Sequence, residues 1–141
     1  MRIVLDANVI ISALISNGLS HQVVDICIDG HEVFMSKALN TEVLNFFVRK
    51  VKTTADEKHR IAKFLDELGP EIIPKGKPLV ICRDKNDNHL LHLVQTCSAH
   101  ILISGDQDLL VLKKHERTHI LTPRQFLEVL NSGKLEGENF A

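Results

Sequence analysis

Two rhythms of hydrophobic and polar positions alternate along the 141-residue chain. Short, mainly apolar runs at Arg2–Leu5, His31–Met35, Ile101–Ile103 and His119–Leu121 predict strands buried on both faces. Between them, apolar residues recur at helical spacing. Val9, Ile10, Ala13 and Leu14 form one stripe; Val23, Val24, Ile26 and Cys27 a second; Leu39, Val43, Leu44, Phe47 and Val51 a third; Ile61, Phe64, Leu65 and Leu68 a fourth.

Local punctuation sets the expected boundaries. Asn17-Gly18 interrupts the chain, Ser20 is expected to cap the second helix, and Asp29-Gly30 to end it. Ser36 closes the second strand, and residues 37–52 read as one helix. Thr54 caps the next, which Gly69-Pro70 ends. A loop rich in Gly, Pro and Lys leads to the apolar run Leu79–Cys82, and the polar cluster from Arg83 to Asn88 precedes a helix expected from Leu90 to Cys97. Thr122 as N-cap with Pro123 at the first helical position starts a final helix to about Leu130. Strands that alternate with helices predict an α/β fold: a Rossmann-like, three-layer α/β/α arrangement around a central parallel sheet of four to five strands. The expected organisation is one domain over residues 1–131 and a loosely held tail, 132–141.

Composition narrows the class. With 44% hydrophobic and 25% charged residues the chain has the balance of a packed protein, not a disordered one. Trp and Tyr are absent, so the core must be mainly aliphatic, and the aromatic platforms that stack nucleic-acid bases are missing. Cys27, Cys82 and Cys97 form an odd, scattered set without CxxC, which suits reduced thiols and a cytoplasmic setting. No apolar run is long enough to span a membrane, and Asp6 and Asn8 interrupt the N-terminal run that would otherwise resemble a signal sequence.

The candidate chemistry lies in the carboxylates. Most acids fall on predicted helix surfaces, but Asp6 follows the first strand, Asp106 follows the third, and Asp87 opens a helix. Parallel sheets collect ligands outside the carboxyl ends of their strands, so these three can share a cleft although Asp87 and Asp106 lie 81 and 100 residues beyond Asp6. Glu42, near the start of the third helix, is a fourth candidate. Clustered carboxylates repel one another unless a cation compensates, and Mg²⁺ or Mn²⁺ prefers such oxygen ligands. A cation there can activate water and polarise a phosphoryl oxygen, which points to phosphodiester hydrolysis. A zinc site from His89, His92 and Cys97 matches no standard spacing, and a calcium loop starting at Asp84 lacks the required Gly and terminal Glu.

The same residues carry a family resemblance. Ile3-Val4-Leu5-Asp6-Ala7-Asn8 resembles the opening of PIN-domain nucleases, in which a strand ends in Asp with Thr, Ser or Asn two residues later. Ser36 to Val43, with Glu42, is similar to the second block of that family, Cys82 to Leu91 to the third, Ile103 to Leu110 to the fourth, and Ile120 to Leu127 to its ending. Five blocks in order cover residues 2–130. The subgroup resembled comprises VapC-type toxins of toxin–antitoxin pairs. The resemblance implies a homodimer, an antitoxin partner, and cleavage of single-stranded RNA with Mg²⁺ or Mn²⁺, leaving 5′-phosphate and 3′-hydroxyl ends. It assigns the acidic quartet to Asp6, Glu42, Asp87 and Asp106, with Asp84 and Asp108 as substitutes for the last two. Asn8 would orient Asp6 or a water, and Ser104 would fill the hydroxyl position of the fourth block.

The formal charge of −1 is unusual for a protein that handles nucleic acid. With the quartet set aside, 17 basic residues face 14 acidic ones, an excess of three. Basic groups gather at Arg49, Lys50 and Lys52, at Lys58, Arg60 and Lys63, and at Lys113, Lys114 and Arg117. Two other readings stand beside the nuclease: a non-catalytic module that binds an antitoxin, and a phosphohydrolase of the haloacid dehalogenase type. The second is disfavoured because Asn8 occupies the place of its general-acid Asp.

Overall fold

The computed structural model describes residues 1–82, 84–135, 138 and 139. Strands β1 (Arg2–Leu5), β2 (Glu32–Val33), β3 (Ile101–Ile103), β4 (Lys114–His115) and β5 (Thr118–Leu121) form one sheet in the order β2-β1-β3-β5-β4. The first three and β5 run parallel. Ile3, Val4 and Leu5 are all fully buried, as are Ile101, Leu102 and Ile103. Successive strand residues point to opposite faces, so both faces of the sheet are covered. This is the expected three-layer α/β/α fold.

The edge strand β4 was not expected. It is two polar residues long and pairs antiparallel with β5, and so short a segment carries no alternation to read. Strand β2 is also shorter than the predicted 31–35. Beyond Val33, Phe34 N–H still donates to the Ile3 carbonyl (3.0 Å), but Met35 N–H turns to Pro70 O (2.9 Å) and Met35 O accepts from Ile72 N–H (2.7 Å). The second half of the predicted strand thus bridges to the segment after the fourth helix.

Helices α1 (Ala7–Ile15), α2 (Leu19–Gly30), α3 (Lys37–Phe46), α4 (Ala55–Leu68), α5 (Lys85–Thr96), α6 (Gln107–Leu110) and α7 (Pro123–Ser132) complete the fold. Thr54 with Glu57, and Thr122 with Gln125, form reciprocal capping boxes. Ser36 caps α3 by accepting from Leu39 N–H (3.2 Å). Ser20 is no cap: α2 already includes Leu19, its cap position is Gly18, and the helix runs through Asp29-Gly30 to a cap at His31. The predicted helix over 37–52 breaks at Phe46, after which a wide π-type turn (Phe47–Val51) ends at Lys52 in the left-handed region. That turn keeps Phe47 buried, edge-on to Phe46.

Helix α5 starts five residues before the predicted Leu90, because its first turn is polar and reads as loop. The apolar run Leu79–Cys82 before it has no regular structure, and Val80 is 89% exposed. Strands β1 and β3 pair with each other, so no ladder between them is open to this run. Of the predicted tail, Ser132 belongs to α7, and Lys134–Leu135 pairs with Glu138–Asn139. Residues 136, 137, 140 and 141 lie outside the described residues.

Among the described residues no single helix is long and apolar enough to cross a membrane. The apolar α1–α2 pair bends by 107° and sends Val9, Ile10, Val23 and Val24 into the core.

Gly69 ends α4 where the chain passes β2. A Cβ at this position would collide with the Val33 carbonyl oxygen, a backbone atom that cannot swing aside. Gly69→Ala should lower stability by about 1–3 kcal/mol, the usual cost of overpacking. Denaturant unfolding checks this, and a midpoint equal to that of the wild type would refute the close approach.

Candidate metal centre

From β1 the chain crosses to β2 on one side and returns to β3 on the other. The carboxyl ends of β1 and β3 therefore mark the switch point of the sheet, where a crevice forms. Asp6 sits there. Its N–H continues the ladder to Ile103 O (2.9 Å), and its carbonyl accepts from Val9 and Ile10 N–H to open α1. Its side chain does not cap that helix. Instead Oδ2 accepts from the Ser104 hydroxyl at 2.7 Å. Ser104 is fully buried, and its Oγ also accepts from Asp106 N–H (3.0 Å). Asp106 caps the short α6 by accepting from Asp108 N–H (2.9 Å) on Oδ1. One hydroxyl thus ties the end of β1 to the turn after β3.

Asp87 enters from the first turn of α5. The loop before this helix is pinned by Asn88, whose Oδ1 accepts from Ile81 N–H (2.9 Å) and Cys82 N–H (2.7 Å). Carboxylate oxygens of Asp87, Asp106 and Asp108 all lie within 4.8 Å of one another. Asp87 is buried, and its Oδ2 has no hydrogen-bond partner among the described residues.

The electrostatics follow from this crowding. Burial is the main cause that raises the Asp6 carboxyl above its ordinary value; the Ser104 hydrogen bond opposes it, while the charges of Glu42 and Asp106 add to it. Asp87 is pushed up to about 7, first by burial, then by the hydrogen bond and charge of Asp106, and further by Asp84 and Asp6. These influences place Asp6, Glu42, Asp87 and Asp106 in one electrostatic neighbourhood. Asp108, expected only as a stand-in for Asp106, lies with it in the same group of three. Asp84 immediately precedes α5 and is exposed.

Glu42 is at the rim, its side chain 44% exposed, with Oε1 3.2 Å from His89 Nε2. Asn8 is exposed in the first turn of α1; the hydroxyl that holds Asp6 belongs to Ser104. Two neighbours of the site, Cys82 and His89, are not among the residues expected there. Cys82 is raised by burial and then by the charges of Asp87, Asp106, Asp108 and Asp84, and His89 meets Glu42 across 47 positions. Only the closeness of both to Asp87 in the chain signals them.

The donor set suits a hard divalent cation. It is built of carboxylate oxygens, the raised Cys82 stays a protonated thiol, and the unpartnered Asp87 Oδ2 leaves a buried lone pair to satisfy. The sequence model of the PIN domain family matches residues 2–108, from β1 into α6. No curated protein matches the chain.

A raised carboxyl makes the folded chain bind its proton more tightly than the unfolded chain does. Asp87 thus favours folding below its ordinary value of 3.8, and this contribution is lost as pH rises through about 7. In metal-free protein, the difference in thermal midpoint between wild type and Asp87→Asn should therefore move against the wild type from pH 4 to 7. Added Mg²⁺ or Mn²⁺ should offset it. A difference that stays flat across this range, with and without metal, would refute the clustering.

Proposed function

We propose, from the premise that this chain belongs to the PIN domain family, that it is a Mg²⁺- or Mn²⁺-dependent endoribonuclease acting on single-stranded RNA. The observation that carries this reading is the buried, unpartnered Asp87 oxygen among the carboxylates of Asp106 and Asp108, beside Asp6. Membership of the family supplies the nuclease fold and displaces the haloacid dehalogenase alternative.

Asp6, Asp87, Asp106 and Asp108 would hold the cation, with Glu42 reaching it from the rim. When bound, a divalent cation supplies an acidified water and neutralises charge at phosphorus. The chain's own residues do the positioning. Ser104 donates to Asp6 Oδ2, which fixes that carboxylate's orientation. The same hydroxyl accepts from Asp106 N–H, so the two acids keep a constant relation as substrate arrives. Burial of Asp6 and Asp87 withdraws bulk water and strengthens the attraction of their carboxylates for a cation. Hydrolysis then proceeds by in-line attack of water on phosphorus and departure of the 3′ oxygen, leaving 5′-phosphate and 3′-hydroxyl ends.

In this reading the chain is a cytoplasmic VapC-type toxin that acts as a homodimer and is restrained by an antitoxin. A groove of about 310 Å³ between the end of α1, the π turn and α4, with Leu14, Phe47, Val51, Ile61 and Phe64 on its walls, favours a protein-docking role beside the nuclease. Val51 and neighbouring Ile15 are exposed, as a partner surface requires.

Cleavage of a panel of single-stranded RNAs with Mn²⁺ or Mg²⁺ tests the proposal. Asp6→Asn and Asp106→Asn should each lower the rate about 10²–10³-fold, the scale of losing one group that stabilises transition-state charge. Ser104→Ala should cost about 10–100-fold, as groups that orient metal ligands do. Full activity in a clean Asp6→Asn preparation, or equal cleavage with chelator present, would overturn it.

A further inference from the structure

Beside the carboxylate cluster, on the α3 side, lies an open surface cavity of about 730 Å³ lined by Lys37, Ala38, Thr41, Glu42, Asn45 and His89, all but His89 exposed. We propose that this cavity seats the nucleotide next to the scissile phosphate, with Lys37 meeting its phosphate and Thr41 and Asn45 hydrogen-bonding its base and sugar. The inference rests on the nuclease reading above and adds to it the residues that set substrate preference.

Three observations carry it. Glu42 belongs both to this wall and to the acids that raise Asp6, so the cavity adjoins the candidate metal centre. The Glu42 carboxylate is engaged by His89 at 3.2 Å, and no other wall residue is acidic. Lys37, Thr41 and Asn45 stand at intervals of four on α3, which aligns them as one stripe. All three side chains are exposed, and Lys37 has no ion-pair partner among the described residues.

The chemistry of that stripe matches a nucleotide. A lysine offers a point charge to phosphate, while a threonine hydroxyl and an asparagine amide each both donate and accept, as base edges and sugar hydroxyls require. Ala38 leaves width at the wall, and the volume falls within the range of small-molecule sites. The wall holds no Phe, and the chain has no Trp or Tyr, so recognition rests on polar edges and not on ring stacking. One turn beyond Asn45 come Arg49 and Lys50, both exposed, where a strand leaving the cavity would meet further positive charge.

The test uses the full chain and a short labelled single-stranded RNA, with binding followed by fluorescence anisotropy in Ca²⁺ and cleavage followed in Mn²⁺. Ala38→Leu, which fills the cavity, and Asn45→Leu should each weaken binding about tenfold or more, the scale of one misfit group in a pocket. Lys37→Gln should lower the slope of log affinity against log salt by about 0.7, one phosphate contact on a single strand. In cleavage, the loss on RNA should exceed the loss on bis-p-nitrophenyl phosphate, a diester too small to span centre and cavity. Variants that bind and cleave RNA like an active wild type would overturn the subsite alone. Equal losses on both substrates would also overturn it, since they locate the damage in the metal centre. A wild type that neither binds nor cleaves RNA would overturn the nuclease reading, and the subsite with it.

Discussion

Asp6 and Asp87 carry carboxylates almost wholly withdrawn from water, each within electrostatic reach of further acids. Isolated, such charges would take up protons or force the segments apart. Here the fold holds them in place by two means. The Ser104 hydroxyl donates to Asp6, and Asp6 N–H extends the β1–β3 ladder, so the acid cannot retreat from the sheet end. Asp87 in turn is anchored by a helix whose lead-in loop Asn88 clamps through two backbone N–H groups. A divalent cation among these acids would relieve their repulsion, and the aliphatic strands beneath give them a packed base.

Rigidity is graded across the site. The switch-point side, with Asp6, Ser104 and Asp106, is built on strands whose residues are fully buried. The α3 side is looser: Glu42 is half exposed and held by one contact to His89. The polar stripe of α3, Lys37, Thr41 and Asn45, lies on this exposed side, apart from the buried acids.

Much of this was legible in the chain, for identifiable reasons. The strands at Ile3–Leu5 and Ile101–Ile103 are continuous apolar runs because both their faces are buried, and Asp6 is conspicuous because an acid directly after such a run has no ordinary structural use. Thr54 and Thr122 announce their helices through local backbone chemistry that needs no tertiary partner. Ser20 misled because Leu19 had already entered the helix, and a capping residue one position inside looks the same in sequence. The first turn of α5 is polar, so its start at Lys85 does not show in the apolar spacing, although Asp87 is legible as the acid that opens this helix. The break after Phe46 was hidden because the apolar spacing through Val51 persists across a π turn.

The sequence by itself determined the alternation of elements, the three-layer class and the candidate acids, since each depends on local hydrophobic rhythm or on a residue's position relative to the element beside it. Tertiary structure alone decided that Asp108 joins Asp87 and Asp106, that one hydroxyl binds Asp6 and Asp106 together, and that Glu42 meets His89. Those relations arise between side chains distant along the chain, and their distances are set by strand order and helix packing, which no local pattern encodes.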